Sequence, residues 1–107
     1  MRVLVVDDDP LAGRMAARLL GARGFACELL QDAACTAMVV AQQRPDVVLL
    51  DLHMEPGDGL EVLARLQAGH RTALTPVIAL TGDRRPETVL ALLHARADDY
   101  GGKPFEP

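Results

Sequence analysis

Apolar and polar residues alternate along this chain in blocks. Val3-Leu4-Val5-Val6 is a short, β-branched run that ends at three aspartates. Val47-Val48-Leu49-Leu50 and Val77-Ile78-Ala79-Leu80 repeat the pattern, each opening after a proline-containing break. Runs of this kind, apolar at consecutive positions, predict strands buried on both faces, as in a parallel sheet. Ala26-Cys27-Glu28-Leu29-Leu30 is a weaker strand of the same kind, and Asp99-Tyr100-Gly101-Gly102 offers a last short one. Helical periodicity fills the intervals. Asp9-Pro10 supplies an N-cap and a first-turn proline before Leu11, Met15 and Leu19, with Gly21 or Gly24 as the stop. Asp32 caps a second helix reaching about Gln43, and Met15 and Met38 are assigned to helix faces packed on the sheet. Asp58 and Glu61 have capping-box spacing ahead of Leu60, Leu63 and Leu66, and Pro86-Glu87 opens a fourth helix through about Arg96. Strands and helices alternating in this way predict an α/β fold with a doubly wound parallel sheet.

The 107 residues fit one domain, and half of them are apolar. Eleven basic against fifteen acidic residues leave a net charge of −4, the wrong sign for a protein that coats a phosphate backbone. No apolar run approaches the roughly 20 residues that span a bilayer, and two cysteines, Cys27 and Cys35, are too few for a disulfide scaffold. The expectation is a soluble cytoplasmic protein without membrane or direct nucleic-acid contact. There is no serine, which excludes a serine-nucleophile hydrolase. The one lysine is Lys103, and three scattered histidines show no zinc spacing. Carboxylates are the chemistry that remains.

In an open parallel sheet, ligands bind beyond the carboxyl ends of the strands, where strand order reverses. Asp7, Asp8 and Asp9 follow the first strand, Asp51 the third, Thr81 the fourth and Lys103 the fifth. Clustered carboxylates repel unless a proton or a cation joins them. An oxygen-only site with an open face suits Mg²⁺, which keeps several waters and accepts phosphate oxygens. An aspartate in such a site can attack phosphorus and form an acyl phosphate, with a hydroxyl and an ammonium holding the transferred oxygens. Asp9 is assigned to helix capping; Arg84 and Arg85 lie beside the proposed site.

Five segments, VLVVDDDP (3–10), PDVVLLDLHM (45–54), DGLEVL (58–63), PVIALTG (76–82) and ADDYGGKPF (97–105), together resemble the receiver domain of two-component response regulators. The resemblance implies a five-stranded sheet of flavodoxin-like order 2-1-3-4-5. It also implies that Asp51 accepts the phosphoryl group, with Asp8 ligating Mg²⁺ directly and Asp7 through water. Asp51 and the backbone carbonyl of His53 would complete the protein's share of the coordination. Thr81 and Tyr100 are implied as switch residues, Lys103 as the phosphoryl partner, and Lys103–Pro104 as a cis-peptide candidate. Implied partners are a histidine kinase or phosphotransfer protein and an output domain, with a homodimer as a further option. His53 and Asp83, each two residues after a site residue, are assigned to setting the lifetime of the acyl phosphate.

The chain departs from the family pattern in three places. Glu55 precedes Pro56 where the family commonly has proline one position earlier, and Gly101-Gly102 replaces bulkier residues of the last strand. The sequence ends at Pro107 where the fifth helix should begin, so a domain spanning 1–107 with that helix absent or truncated is expected. Met1, one residue before the first strand, suggests a domain that opens its parent protein. Two other function classes remain open: a phosphorylation-independent interaction module of the same fold, and a haloacid-dehalogenase-like phosphohydrolase with Asp7 as nucleophile. The nucleophile, Asp51 or Asp7, separates receiver from hydrolase. A receiver would accept a phosphoryl group and shed it slowly rather than turn over as an enzyme.

Overall fold

The computed structural model describes residues 1–51, 59–80 and 91. Within them the chain runs β1 (Arg2–Val6), α1 (Pro10–Ala22), β2 (Ala26–Leu30), α2 (Thr36–Gln43), β3 (Val47–Asp51), α3 (Gly59–Ala68) and β4 (Val77–Leu80). Short 3-10 turns over Ala33–Cys35 and Thr72–Leu74 precede α2 and β4. All pairings are parallel, in the order β2-β1-β3-β4, so the strand order reverses between β1 and β3. This is the first four-strand portion of the flavodoxin-like arrangement; residues 99–102, the candidate fifth strand, lie outside the described residues. Ala91 is helical and falls within the span predicted for the fourth helix.

The strand pleat sorts the core into two layers. Val3, Val5, Val47, Leu49 and Ile78 face one side, where Leu20 and Ala16 of α1 and Phe25 cover them. Leu4, Val6, Val48 and Leu50 face the other side, against Val40 of α2 and Val62 and Leu66 of α3. Burial of β1 and β3 on both faces is the reason these strands read as unbroken apolar runs. Each fully buried Val or Leu contributes about 1.5–3 kcal/mol of transfer free energy. The weaker pattern of β2 has the complementary cause, since it is the edge strand and alternates between exposed and half-buried positions.

The packing stripes of the helices differ from those predicted. In α1, Leu11 and Met15 are 66% and 64% exposed, while Gly13, Ala16 and Leu20 turn toward the sheet. Gly13 is the point of contact with β2: a Cβ there would overlap Cδ1 of Leu29, whose side chain fills the space beside the glycine. Met38 is likewise exposed on α2, and Leu60 on α3, where Gly59, Val62 and Leu66 are the buried positions.

The helix ends follow local chemistry. Asp9 Oδ1 accepts the amides of Leu11 and Ala12 at 3.0 and 3.4 Å, as an N-cap carboxylate should. Gly21 is inside α1; the stop falls at Gly24, whose φ of 92° lets the Phe25 amide reach the Leu20 carbonyl at 3.0 Å. Asp32 caps the 3-10 turn ahead of α2 rather than the helix itself, accepting the Ala34 amide at 3.0 Å. Arg44 closes α2 in the left-handed region, at φ 50°. Glu61 pairs with Arg65 one turn on, at 3.0 Å; its capping-box partner Asp58 lies outside the described residues. No helix among the described residues is long and apolar enough to cross a membrane.

Candidate functional site

Two adjacent strands bring three acids together. Val6 and Leu50 are the last registered pair between β1 and β3, so Asp7 and Asp51 are the next residues along each. Asp51 still belongs to β3 and is registered with Leu80 of β4. The Asp7 amide continues the β1–β2 ladder by donating to the Leu30 carbonyl at 3.1 Å. Backbone pairing thus fixes both Cα positions before any side-chain interaction is considered.

Asp7 and Asp51 are 5% and 4% exposed, whereas Asp8 lies on the surface. One carboxylate oxygen from each falls within 4.8 Å of those from the other two. Two unit charges at such separations repel by about 4 kcal/mol at an effective dielectric near 20, so the cluster favours an added positive charge. Oxygen ligands about 2.1 Å from a common Mg²⁺ lie roughly 3–4 Å from one another, a spacing compatible with the 4.8 Å bound on this group. The donor set, all carboxylate with one exposed member, suits a hard cation that keeps part of its water shell.

Asp9 has two functions, of which only the cap was legible in the sequence. Its carboxylate caps α1, while its backbone amide donates to Asp7 Oδ1 at 2.9 Å. The turn that begins the helix therefore also orients a site carboxylate. The signal that could have revealed this is the spacing: an aspartate accepting the amide two residues on is an ordinary Asx turn.

Of the residues assigned to the site from sequence, Asp7, Asp8 and Asp51 are brought together. His53, Thr81, Asp83, Tyr100, Lys103 and Pro104 lie outside the described residues. Cys27 and Cys35 are free thiols away from this chemistry. Burial pushes Cys27 up to about 11, and the Asp32 carboxylate, by its hydrogen bond and its charge, raises Cys35. Neither environment activates a thiolate.

Comparison with known proteins finds a match over residues 3–107 to a family model described as the response regulator receiver domain. The chain is 37% identical over 106 residues to the DNA-binding response regulator MtrA of Mycolicibacterium smegmatis, covering 99% of this chain and 45% of that protein. It is 39% identical over 105 residues to the response regulator MprA of Mycobacterium sp. strain KMS, covering 98% of this chain and 45% of that one. The chain thus spans about half the length of the curated relatives it matches. Among solved structures, the N-terminal domain of a response regulator receiver protein from Methanoculleus marisnigri superposes with a TM-score of 0.72 at 32% identity. That match covers 94% of this chain and 76% of the other.

Proposed function

This chain belongs to the response regulator receiver domain family, and from that premise we propose that it is a switch thrown by phosphorylation of Asp51. The observation that carries the proposal is the convergence of Asp7, Asp8 and Asp51 at the β1–β3 switch point, with carboxylate oxygens within 4.8 Å. On this reading a carboxylate oxygen of Asp51 attacks the phosphorus of a phosphohistidine. The P–N bond breaks, the imidazole leaves and takes up a proton, and an acyl phosphate remains. Mg²⁺ held by Asp7, Asp8, Asp51 and the His53 carbonyl would neutralise charge on the phosphoryl oxygens. Asp7, fixed by the Asp9 amide, keeps its place while Asp51 reacts.

The rest of the proposal rests on the sequence. Thr81 and Lys103 bind the phosphoryl oxygens, Tyr100 reorients with Thr81, and the Lys103–Pro104 bond is cis. His53 and Asp83 govern access of the hydrolytic water. The donor is a histidine kinase or phosphotransfer protein in the cytoplasm, and the reader is an output domain or a separate partner. The unit that does this includes residues 1–107.

The test is intact mass after incubation with Mg²⁺ and acetyl phosphate, for wild type, Asp51→Asn and Asp7→Asn. A single Mg²⁺-dependent phosphoryl adduct that maps to Asp51 and disappears in Asp51→Asn supports the proposal. An adduct on Asp7 points to the hydrolase chemistry instead, and a folded wild type that takes no adduct points to an interaction module.

A further inference from the structure

Before the amino ends of β3 and β4, at the end of the sheet away from the carboxylates, a cleft of about 500 Å³ lies between the end of α2 and the turn that leads into β4. Its floor is apolar, made by Val40, Pro45 and Pro76, of which Val40 and Pro45 are buried. Its rim carries Arg44, Arg71 and Leu74, all exposed, Leu74 to 84%. Neither rim guanidinium has an ion pair or hydrogen-bond partner among the described residues. Asp46 also lines the cleft, and one of its oxygens accepts the Arg2 amide at 2.7 Å. The Arg2 guanidinium donates to the Arg44 carbonyl at 3.4 Å, which brings a third cation to this corner. A protein with a net charge of −4 thus gathers positive charge around an apolar depression.

We propose that this cleft docks an acidic peptide segment of a partner protein, with an apolar side chain on the floor and carboxylates on Arg44 and Arg71. Charge complementarity selects the sign of the partner. Arginine beside exposed apolar surface is the composition enriched at protein interfaces. A peptide fits better than a small molecule because the polar groups stand exposed on the rim, whereas small-ligand sites set a few polar groups within an enclosed pocket. Strand β3, Val47–Asp51, spans roughly 13 Å at about 3.3 Å per residue, so the cleft before its amino end is separate from the carboxylate site at its carboxyl end.

The test uses the whole chain, ¹⁵N-labelled, titrated with a synthetic peptide in which glutamates flank a central pair of leucines. Lysine-for-glutamate and leucine-free versions serve as comparisons. The expected result is saturable shifts centred on the amides of Arg44, Asp46, Arg71, Leu74 and Thr75, with affinity falling as salt rises. Arg44→Gly, which suits its left-handed backbone, combined with Arg71→Gln should weaken binding roughly tenfold or more while leaving the remaining spectrum unchanged. Loss of the leucines should also weaken it. Absence of saturable shifts, shifts centred elsewhere, or equal binding by the lysine peptide would overturn the proposal. Equal occupancy by free glutamate or inorganic phosphate would overturn it in favour of a small-anion site.

Discussion

Asp7 and Asp51 stand side by side one step beyond the Val6–Leu50 pair, both almost fully buried and both within 4.8 Å of Asp8 through their carboxylate oxygens. Their closeness is imposed by two parallel strands, each held by apolar residues on both faces. The sheet therefore gathers three carboxylates at one point. Such a cluster could hold a cation, because the backbone has already met the cost of gathering the ligands.

One consequence is a reversal of mutational effect with metal. In a chelator, Asp51→Asn removes a like charge and should stabilise the fold by about 1 kcal/mol. With Mg²⁺ at a hundredfold excess over its dissociation constant, the wild type should gain about 2.7 kcal/mol, and the variant should fall below it. Thermal unfolding of both proteins in each condition would check this. The same ranking in both conditions would mean that the cluster is not a metal site.

Asp9 should behave as a cap and not as a ligand. Asp9→Ala removes the acceptor for the Leu11 and Ala12 amides and should cost about 1 kcal/mol. The backbone amide that holds Asp7 remains, so phosphorylation by acetyl phosphate should persist. Urea unfolding paired with intact mass separates the two effects, and loss of the adduct in a folded variant would make Asp9 part of the metal site.

Arg44 is the one non-glycine residue with positive φ among those described. Left-handed backbone disfavours residues with a Cβ by roughly 1 kcal/mol. Arg44→Gly should therefore stabilise the protein by about 0.5–1 kcal/mol, less the extra freedom glycine gives the unfolded chain. Urea unfolding of Arg44→Gly and Arg44→Ala gives the comparison; equal midpoints would contradict the assignment.

Cys27 makes an alkaline prediction. Its folded pKa of about 11 lies above the ordinary value of 9.0 because burial disfavours the thiolate. A group raised on folding stabilises the native state fully below its unfolded pKa, and that contribution is lost as pH rises through the folded one. The wild type should lose stability relative to Cys27→Val between pH 9 and 11. Discounted for a half-exposed thiol, the change should be on the order of 1 kcal/mol. Chemical unfolding of both proteins at the two ends of that window measures it, and parallel curves would exclude the effect.

His53 and Asp83 are assigned to the lifetime of the acyl phosphate, so alanine at each should change the rate of phosphate release severalfold without changing the adduct formed. Timed intact-mass measurements after donor removal follow this directly; unchanged lifetimes in both variants would remove the assignment.

The sequence by itself determined the strands: β1 and β3, buried on both faces, must be apolar at consecutive positions, as Val3–Val6 and Val47–Leu50 are, and Val77–Leu80 carries the same pattern although Ala79 is exposed. It also placed an aspartate after β1 and at the end of β3, and the ordered set of five segments carried the family resemblance. Helix capping at Asp9 was legible too, since a cap depends on residues only a few positions away. What only the tertiary structure decided is which helical stripe faces inward and which carboxylates meet. Large side chains at Leu11 and Met15 gave the stronger periodic signal, but the face that packs is the one with Gly13, against the Leu29 side chain, together with Ala16 and Leu20, and the larger face is left outside. The meeting of Asp7, Asp8 and Asp51 likewise depends on β1 lying next to β3 rather than on any local pattern. Periodicity records what a residue prefers to touch; the separation between packed elements decides whether it can.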